Sequence, residues 1–518
     1  MKPELFNSLK NYKKSYILND LLAGLMVAII ALPLSIALGI QSVPEGTAGI
    51  NGIQAGIITA IVAGFFISLL GGSKYQIGGP TAAFVVILFG YLADPEIGVL
   101  GLAIAGIMAG VILIVMGICR AGNVMKFFPY PITIGFTTGI GVTLMTGQLK
   151  DFLGLATPEE PFELFSEFIS KIANIFSQIT TFNFATFAVG LVGLSCVIIL
   201  PKISKKIPSA LVAIVLCTVV SLVLEKVSGD PVATIGSTYG EIQASFSFID
   251  ISTIKEINFA KLIVPAIVIA FLCAIESLLS ATVASGMTGT KFNANQELVG
   301  QGVANIFSSL FGGLPATGAI ARTAASIENG AKSPLAGVFH AVFILIMYFL
   351  LMGVVGYIPL AVFAAILISV AINMARFPLF IRLASFGVRD SIVMLVTFTL
   401  TVIFDLTYGV IGGVIVCVLA NIPNFKNGAR FETEFSTVYA HGTLFFGNAS
   451  KLPDFVNREM ADRRQVTIDL SGVERIDETA LEKLSNLKKV FELQERELTF
   501  VNANPAVQRR LDRYLGKI

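Results

Sequence analysis

From Leu21 to about Ile422 the chain alternates long apolar runs with short polar breaks. Runs of spanning length lie near 21–41, 53–70, 97–118, 130–147, 184–200, 208–225, 261–284, 335–355, 389–404 and 407–422. Each approaches the roughly 20 apolar residues that a helix needs to cross a bilayer. Shorter or Gly-interrupted runs lie near 78–92, 296–313, 316–326 and 358–374, giving about fourteen elements. Alternate loops collect the cations: Lys10, Lys13 and Lys14; Lys74; Arg120 and Lys126; Lys202, Lys205 and Lys206; Lys291 and Lys332; Arg376, Arg382 and Arg389; Lys426 and Arg430. The opposite loops, such as ADPEIG and FDLTYG, carry almost none. The positive-inside rule then places both termini in the cytoplasm of a multi-pass protein of the cell's inner membrane. The alternation holds only if the short runs are counted as segments.

The pattern changes near Asn421. STVYAHGTLFFG, VTIDLSGV and LTFVNAN alternate as strands, and DETALEKLSNLKKVFELQER has helical spacing. A small α/β domain is predicted over 435–518, behind a cytoplasmic lead-in (1–16) and a membrane domain (17–424).

Composition supports lipid as the solvent. Of 518 residues, 55% are hydrophobic and 14% charged, with a mean hydropathy of +0.81; soluble domains are about 25% charged. The net charge of +2, with no basic block, gives no reason to expect nucleic acid. The five cysteines sit in apolar runs and read as small hydrophobes. The two histidines are far apart, and no metal-ligand spacing, phosphate loop or catalytic triad spacing occurs, so neither a metal, an organic cofactor nor an enzyme is expected.

Two broken segments hold matching places, each third in its half: IGGPTAAFVVIL (77–88) and LPATGAIARTAAS (314–326). Each has Gly and Pro before a short helix-forming run. With seven elements per half (about 17–227 and 260–424), the halves have opposite membrane orientation, the inverted-repeat plan of secondary transporters. Two half-helix N-termini meeting near the midplane, each with unpaired N–H groups and partial positive charge, suit an anion.

Arg322 is the only Arg inside a predicted segment rather than at its edge. An intramembrane charge is costly and normally functional or paired. It adds positive charge to the anion site, or makes a structural salt bridge or snorkels. Glu276 lies mid-span in AIESLL with Ser277 beside it; it binds a coupling proton or Na+, or pairs with Arg322. Pro33, Leu34, Ser35 and Leu38 on the first long helix, and Thr81, Ala82, Ala83 and Phe84 after Pro80, are candidate lining residues, as are Ala321 and Thr323 beside Arg322; the alternative is packing and kinking. Asp20 reads as a helix cap, His340 as a packed residue, and Gly135 and Gly139 as allowing close helix packing.

DLLAGLMVAIIALPLSIALGI, GGPTAAFVVIL, GMTGTKFNANQELVGQGVANIFSSLFGGLPATGAIARTAAS and VERIDETALEKL together resemble the SulP anion permeases, the bacterial sulfate permeases and their animal relatives such as prestin. The resemblance implies a fold of seven plus seven inverted segments like that of uracil permeases, an elevator-like cycle, and an anion held by backbone around Thr81 to Phe84 and around Ala321 to Arg322. Prestin-like members have Ser where Ala321 stands, and members often carry Gln where Leu34 stands. The tail is similar to a STAS domain, in which Thr479 matches a position phosphorylated in some relatives and a cytoplasmic partner is expected. AIESLL, GPTAAFVVIL and ATGAIAR look most like a branch that includes C4-dicarboxylate carriers; sulfate and bicarbonate are the other substrates the family implies. A homodimer is also implied. The competing readings are an anion channel or motor-like protein of the same fold, and a nucleobase permease, which Arg322 disfavours.

Overall fold

A computed structural model describes the chain except residues 1, 11, 123–128, 159–161, 163, 165, 205, 206, 229, 230, 241, 242, 247, 250–254, 256, 385, 386, 405, 423, 425–427 and 516–518. Lys126, Lys205, Lys206 and Lys426 of the loop-charge pattern lie outside the described residues.

The first half contains α1 (Glu4–Lys10), α2 (Lys14–Ser42), α3 (Gly52–Leu70), β1 (Gly78–Gly79), α4 (Ala82–Ala93), α5 (Gly98–Ile118), α6 (Tyr130–Leu153), α7 (Glu167–Ser177), α8 (Phe184–Ile203), α9 (Ser209–Ser228) and α10 (Ile235–Tyr239). The second contains α11 (Phe259–Thr288), α12 (Ala294–Leu310), β2 (Thr317–Gly318), α13 (Ile320–Glu328), α14 (Leu335–Val355), α15 (Leu360–Ala375), α16 (Phe377–Leu383), α17 (Val388–Ile403) and α18 (Leu406–Asn421). Setting aside the short α1, α7, α10 and α16, seven segments stand in each half among the described residues, two of the fourteen being a two-residue strand feeding a short helix. Among the described residues, eight helices are long and apolar enough to cross a bilayer. The half-helices α4 and α13 span only 12 and 9 residues, too few to cross alone at 1.5 Å per residue.

The contacts divide the chain into two compact units. One comprises Met1–Gly122, Ile140–Ala284 and Phe292–Met374; the other comprises Asn123–Gly139, Ser285–Lys291 and Ala375–Ile518. In the first, β1 pairs antiparallel with β2, Gly78 opposite Gly318 and Gly79 opposite Thr317. This pairing satisfies backbone groups that helices cannot, in a region where lipid offers no hydrogen bonds. Asp20 is fully buried on α2. It caps neither its own helix nor α14: its carboxylate accepts from the Lys332 and Ser333 backbone at 2.5 and 3.1 Å, in the turn before α14, and from the Ser333 and Tyr12 hydroxyls at 2.6 Å each.

In the second unit, Gly135 and Gly139 face α17. A Cβ at Gly135 would stand 2.6 Å from the Met394 carbonyl, and one at Gly139 would stand 2.8 Å from Thr401. These glycines serve close packing within the chain. The tail forms a four-stranded sheet, β3 (Arg430–Glu434), β4 (Thr437–Leu444), β5 (Gln465–Ile476) and β6 (Glu497–Val501), in that spatial order. The β3–β4 pair is antiparallel and the other two pairs are parallel. Helices α19 (Lys451–Glu459), α20 (Glu478–Leu493) and α21 (Pro505–Leu515) complete it, with Leu481, Leu484 and Phe491 of α20 buried with Ile468 and Leu470 of β5 in one core. The protein is thus a mostly helical membrane protein carrying a small α/β domain.

Candidate functional site

The β1–β2 crossing aims two helix N-termini into one neighbourhood. The residues before them, Thr81 and Ala319, are extended, and neither caps its helix with a side chain. Among the described residues, the N–H groups of Ala82, Ala83, Ile320, Ala321 and Arg322 have no hydrogen-bond partner. Such groups give a helix start its affinity for negative charge. The α13 end is tied to the first half through Ala319 N–H, which donates to the Ile77 carbonyl at 2.9 Å.

Arg322 is 1% exposed and reaches across to the first half. One terminal nitrogen donates to the Gly78 carbonyl at 3.2 Å; the other donates to the Ser35 hydroxyl at 3.0 Å and the Pro80 carbonyl at 3.5 Å. All three acceptors are neutral, and Nε has no partner among the described residues. No salt bridge joins Arg322 to Glu276, so the pairing that sequence allowed is not formed. Instead, Glu276 accepts from the Thr81 hydroxyl at 2.9 Å. The neighbourhood therefore holds a buried cation on neutral oxygens, two uncapped helix starts, and one carboxylate tied to Thr81.

The candidate residues divide by exposure. Ala321 is exposed, and Leu34, Thr81 and Glu276 are half-buried. Leu38, Ala82, Ala83, Phe84 and Thr323 are buried, so they contribute backbone or packing. Ser35 donates to the Ala31 carbonyl at 2.7 Å while accepting from Arg322. Ser277 lies 2.7 Å from the Thr317 hydroxyl and accepts from Gly318 N–H at 3.1 Å. Thr323 accepts from Ile77 N–H at 3.2 Å and from the Ser280 hydroxyl at 3.3 Å. Ser277 and Thr323 thus brace the crossing strands. His340 is wholly buried against Gly64, its ring 3.5 Å from where a Cβ there would stand.

Two positions escaped the sequence reading. Gly79 has φ +151°, and a Cβ there would stand 1.8 Å from an Arg322 terminal nitrogen. Only glycine fits that backbone beside the guanidinium; the signal was the doubled Gly of IGGP. Glu297 of α12 is fully buried and accepts from Gly72 and Ser73 N–H at 2.8 and 3.0 Å and from the Gln301 amide at 2.9 Å.

Thr479 lies in the second unit, at the start of α20. It is 1% exposed, and its hydroxyl accepts from Tyr130 N–H at 3.0 Å.

The chain belongs to the Sulfate permease family, whose sequence profile matches residues 17–397; a STAS domain profile matches 429–514. It is 39% identical over 495 residues to the "Putative sulfate transporter YvdB" of Bacillus subtilis, covering 92% of this chain and 90% of that protein. It is 31% identical over 416 residues to the "Bicarbonate transporter BicA" of Picosynechococcus sp., covering 79% and 70%. The solved transmembrane domain of a cyanobacterium bicarbonate transporter BicA superposes with a TM-score of 0.67 at 30% identity, over 78% of this chain and 98% of that one. The overall structure of SLC26A9 superposes with a TM-score of 0.69 over 98% of this chain and 88% of that one; at 19% identity it speaks for the fold alone. These relatives are named as transporters, not enzymes.

Proposed function

We propose that the protein is a secondary active transporter of small anions such as sulfate, bicarbonate or C4-dicarboxylates, and that the anion sits between the N-termini of α4 and α13. One observation carries this reading: the Arg322 guanidinium is buried with only the Gly78 and Pro80 carbonyls and the Ser35 hydroxyl as acceptors. A buried cation without a counter-ion is costly. An anion held by Arg322, the free N–H groups of Ala82, Ala83 and Ala321, and the Thr81 side offsets that cost. The names of the bacterial and cyanobacterial relatives support the substrate class.

Glu276 supplies the coupling step. Its half-buried carboxylate takes up a proton or Na+, and Thr81 links that event to the start of α4. The transport domain (17–424) works by an elevator-type movement, as a homodimer in the inner membrane with both termini cytoplasmic, and the 435–518 domain offers a surface to a cytoplasmic partner. The loop charges support the orientation.

The test is reconstitution in liposomes, with labelled sulfate, bicarbonate and fumarate followed under imposed proton or sodium gradients. Gradient-driven accumulation of one of them is expected. Equal uptake with every gradient collapsed, and no exchange, would sink coupled transport. Unitary currents with non-saturating flux would replace the carrier with a channel.

A further inference from the structure

The stretch 154–183 between α6 and α8 is long for a connection inside a compact fold, and it contains α7. No residue of α7 is buried, yet the helix is sharply two-sided. Lys171, Asn174 and Gln178 recur at i, i+3 and i+7 and face the protein, where with Ile175 they line one side of a cavity of about 380 Å³. Lys171 pairs with Glu167 at 2.6 Å and sits 5.3 Å from the centre of the Phe89 ring of α4. The Asn174 side chain accepts from the Phe162 N–H at 2.7 Å. Phe168, Ile172 and Phe176 recur at i, i+4 and i+8 on the opposite side. Phe176, the outermost of them, is 70% exposed.

The depth of this apolar side is set by α8. That helix has 20 residues, about 30 Å at 1.5 Å per residue, which is the thickness of a bilayer's hydrocarbon core. Its first residues therefore stand at a membrane interface. Two hydrogen bonds tie the end of α6 to the same level: Asn183 N–H donates to the Leu153 carbonyl at 3.2 Å, and Ala156 N–H donates to the Thr181 hydroxyl at 2.9 Å. A single tight turn, Ile179–Thr181, separates α7 from that level. The exposed apolar side chains are continuous along this path. Phe176, Ile179, Phe182 and Phe184 lead onto Leu191 and Ile198 of α8, one of the helices apolar enough to cross a bilayer.

We infer that α7 is a lipid-seated cover: its Phe168, Ile172 and Phe176 side lies in the bilayer interface while its polar side closes the cavity. An exposed apolar side of this kind marks an interaction surface, and its continuity with the lipid-facing side of α8 makes the bilayer its occupant. Apolar burial in lipid, more than contact with the protein, holds the helix in place. The inference uses no residue at the strand crossing and stands whichever anion the protein carries.

The chain contains no Trp, so one introduced Trp is a single emitter in the full-length protein. Phe176→Trp and Gln178→Trp are each reconstituted in phosphatidylcholine vesicles, with and without phosphatidylcholine brominated near the headgroup end of its acyl chains. Circular dichroism and gel filtration check the fold, and Ile172→Trp replaces Phe176→Trp if that variant misfolds. An interfacial apolar side sits about 5–10 Å into the headgroup–acyl boundary, so the Phe176→Trp emission should fall by about half or more with the brominated lipid. The Gln178→Trp emission should barely change. Equal responses at the two positions, or none at Phe176→Trp, overturn the inference. Iodide then says what covers the helix instead: quenching of Phe176→Trp by iodide means water, and no quenching by either agent means protein, such as a second copy. As a check on anchoring, Phe176→Asp should speed hydrogen exchange of the α7 amides in the same vesicles. Unchanged exchange there overturns the anchoring role.

Discussion

Arg322, from the second half of the chain, donates a 3.2 Å hydrogen bond to the carbonyl of Gly78 in the first. Two sequence segments more than two hundred residues apart thus share one buried guanidinium. The same contact supports the β1–β2 crossing and leaves the positive charge without a carboxylate, so structure and the proposed anion site depend on one side chain.

Substitution there should separate charge from shape. Arg322→Lys keeps the charge, but an ammonium is a point donor that cannot span Gly78, Pro80 and Ser35 as the planar fork does. Arg322→Ala should weaken anion binding by about 1.5–3 kcal/mol, roughly tenfold to more than a hundredfold in Kd. Arg322→Lys should fall between wild type and alanine. Calorimetric titration of purified protein checks the order; wild-type affinity in Arg322→Ala removes the residue from the site.

Gly79 should be nearly intolerant of a side chain. Gly79→Ala meets both a positive φ and the guanidinium, so the expected result is a lowered Tm together with loss of uptake. Gly90, with nothing within 4 Å of an added Cβ, is the control: Gly90→Ala should keep wild-type Tm. Thermal unfolding in detergent, scored side by side, tests the pair.

Glu276→Gln should leave exchange measurable but abolish its dependence on the driving ion. Thr81→Val, which removes the 2.9 Å link, should change coupling in the same direction. Persistence of full pH and sodium dependence in Glu276→Gln ends the coupling role.

The α/β domain should lose stability as pH rises. Burial pushes the Glu478 carboxyl up to about 9, and both Asp390 and Asp477 add to the shift against Arg510. Burial likewise raises Asp477 to about 8, with Asp390 beside it. Neither Glu478 oxygen has a hydrogen-bond partner, and Asp390 accepts from the Glu478 backbone. Unfolded carboxyls release their protons near pH 4, so between about pH 4 and 9 the folded state holds more protons and stability falls with rising pH. Below that window the contribution is fully present. Glu478→Gln should flatten the decline, as read from hydrogen exchange of β5 and α20 amides in the full-length protein between pH 6 and 9.

Thr479, matched by resemblance to a phosphorylated position, is buried beneath Tyr130 N–H. A phosphate there requires α20 to leave that contact. Thr479→Glu should therefore raise hydrogen exchange at Tyr130 and along α20, whereas Thr479→Ser should not. Equal exchange in the two variants refutes this.

The membrane class, the segments and the two broken helices were legible in the sequence because lipid imposes a one-dimensional rule: apolar runs of set length, interrupted by Gly and Pro where helices must break. Arg322 stood out for the same reason, as a charge where charge is costly. The strand RFETE was not legible, because its exposed residues show no apolar alternation. Nor was the partner of any polar residue. Sequence placed Arg322 and Glu276 close enough to pair and gave Asp20 its own helix to cap. Folding gave Arg322 the carbonyls of Gly78 and Pro80, gave Glu276 the Thr81 hydroxyl, and gave Asp20 the backbone before α14. Those choices depend on distances of about 3 Å between segments hundreds of residues apart, and only the crossing of β1 with β2 brings them together.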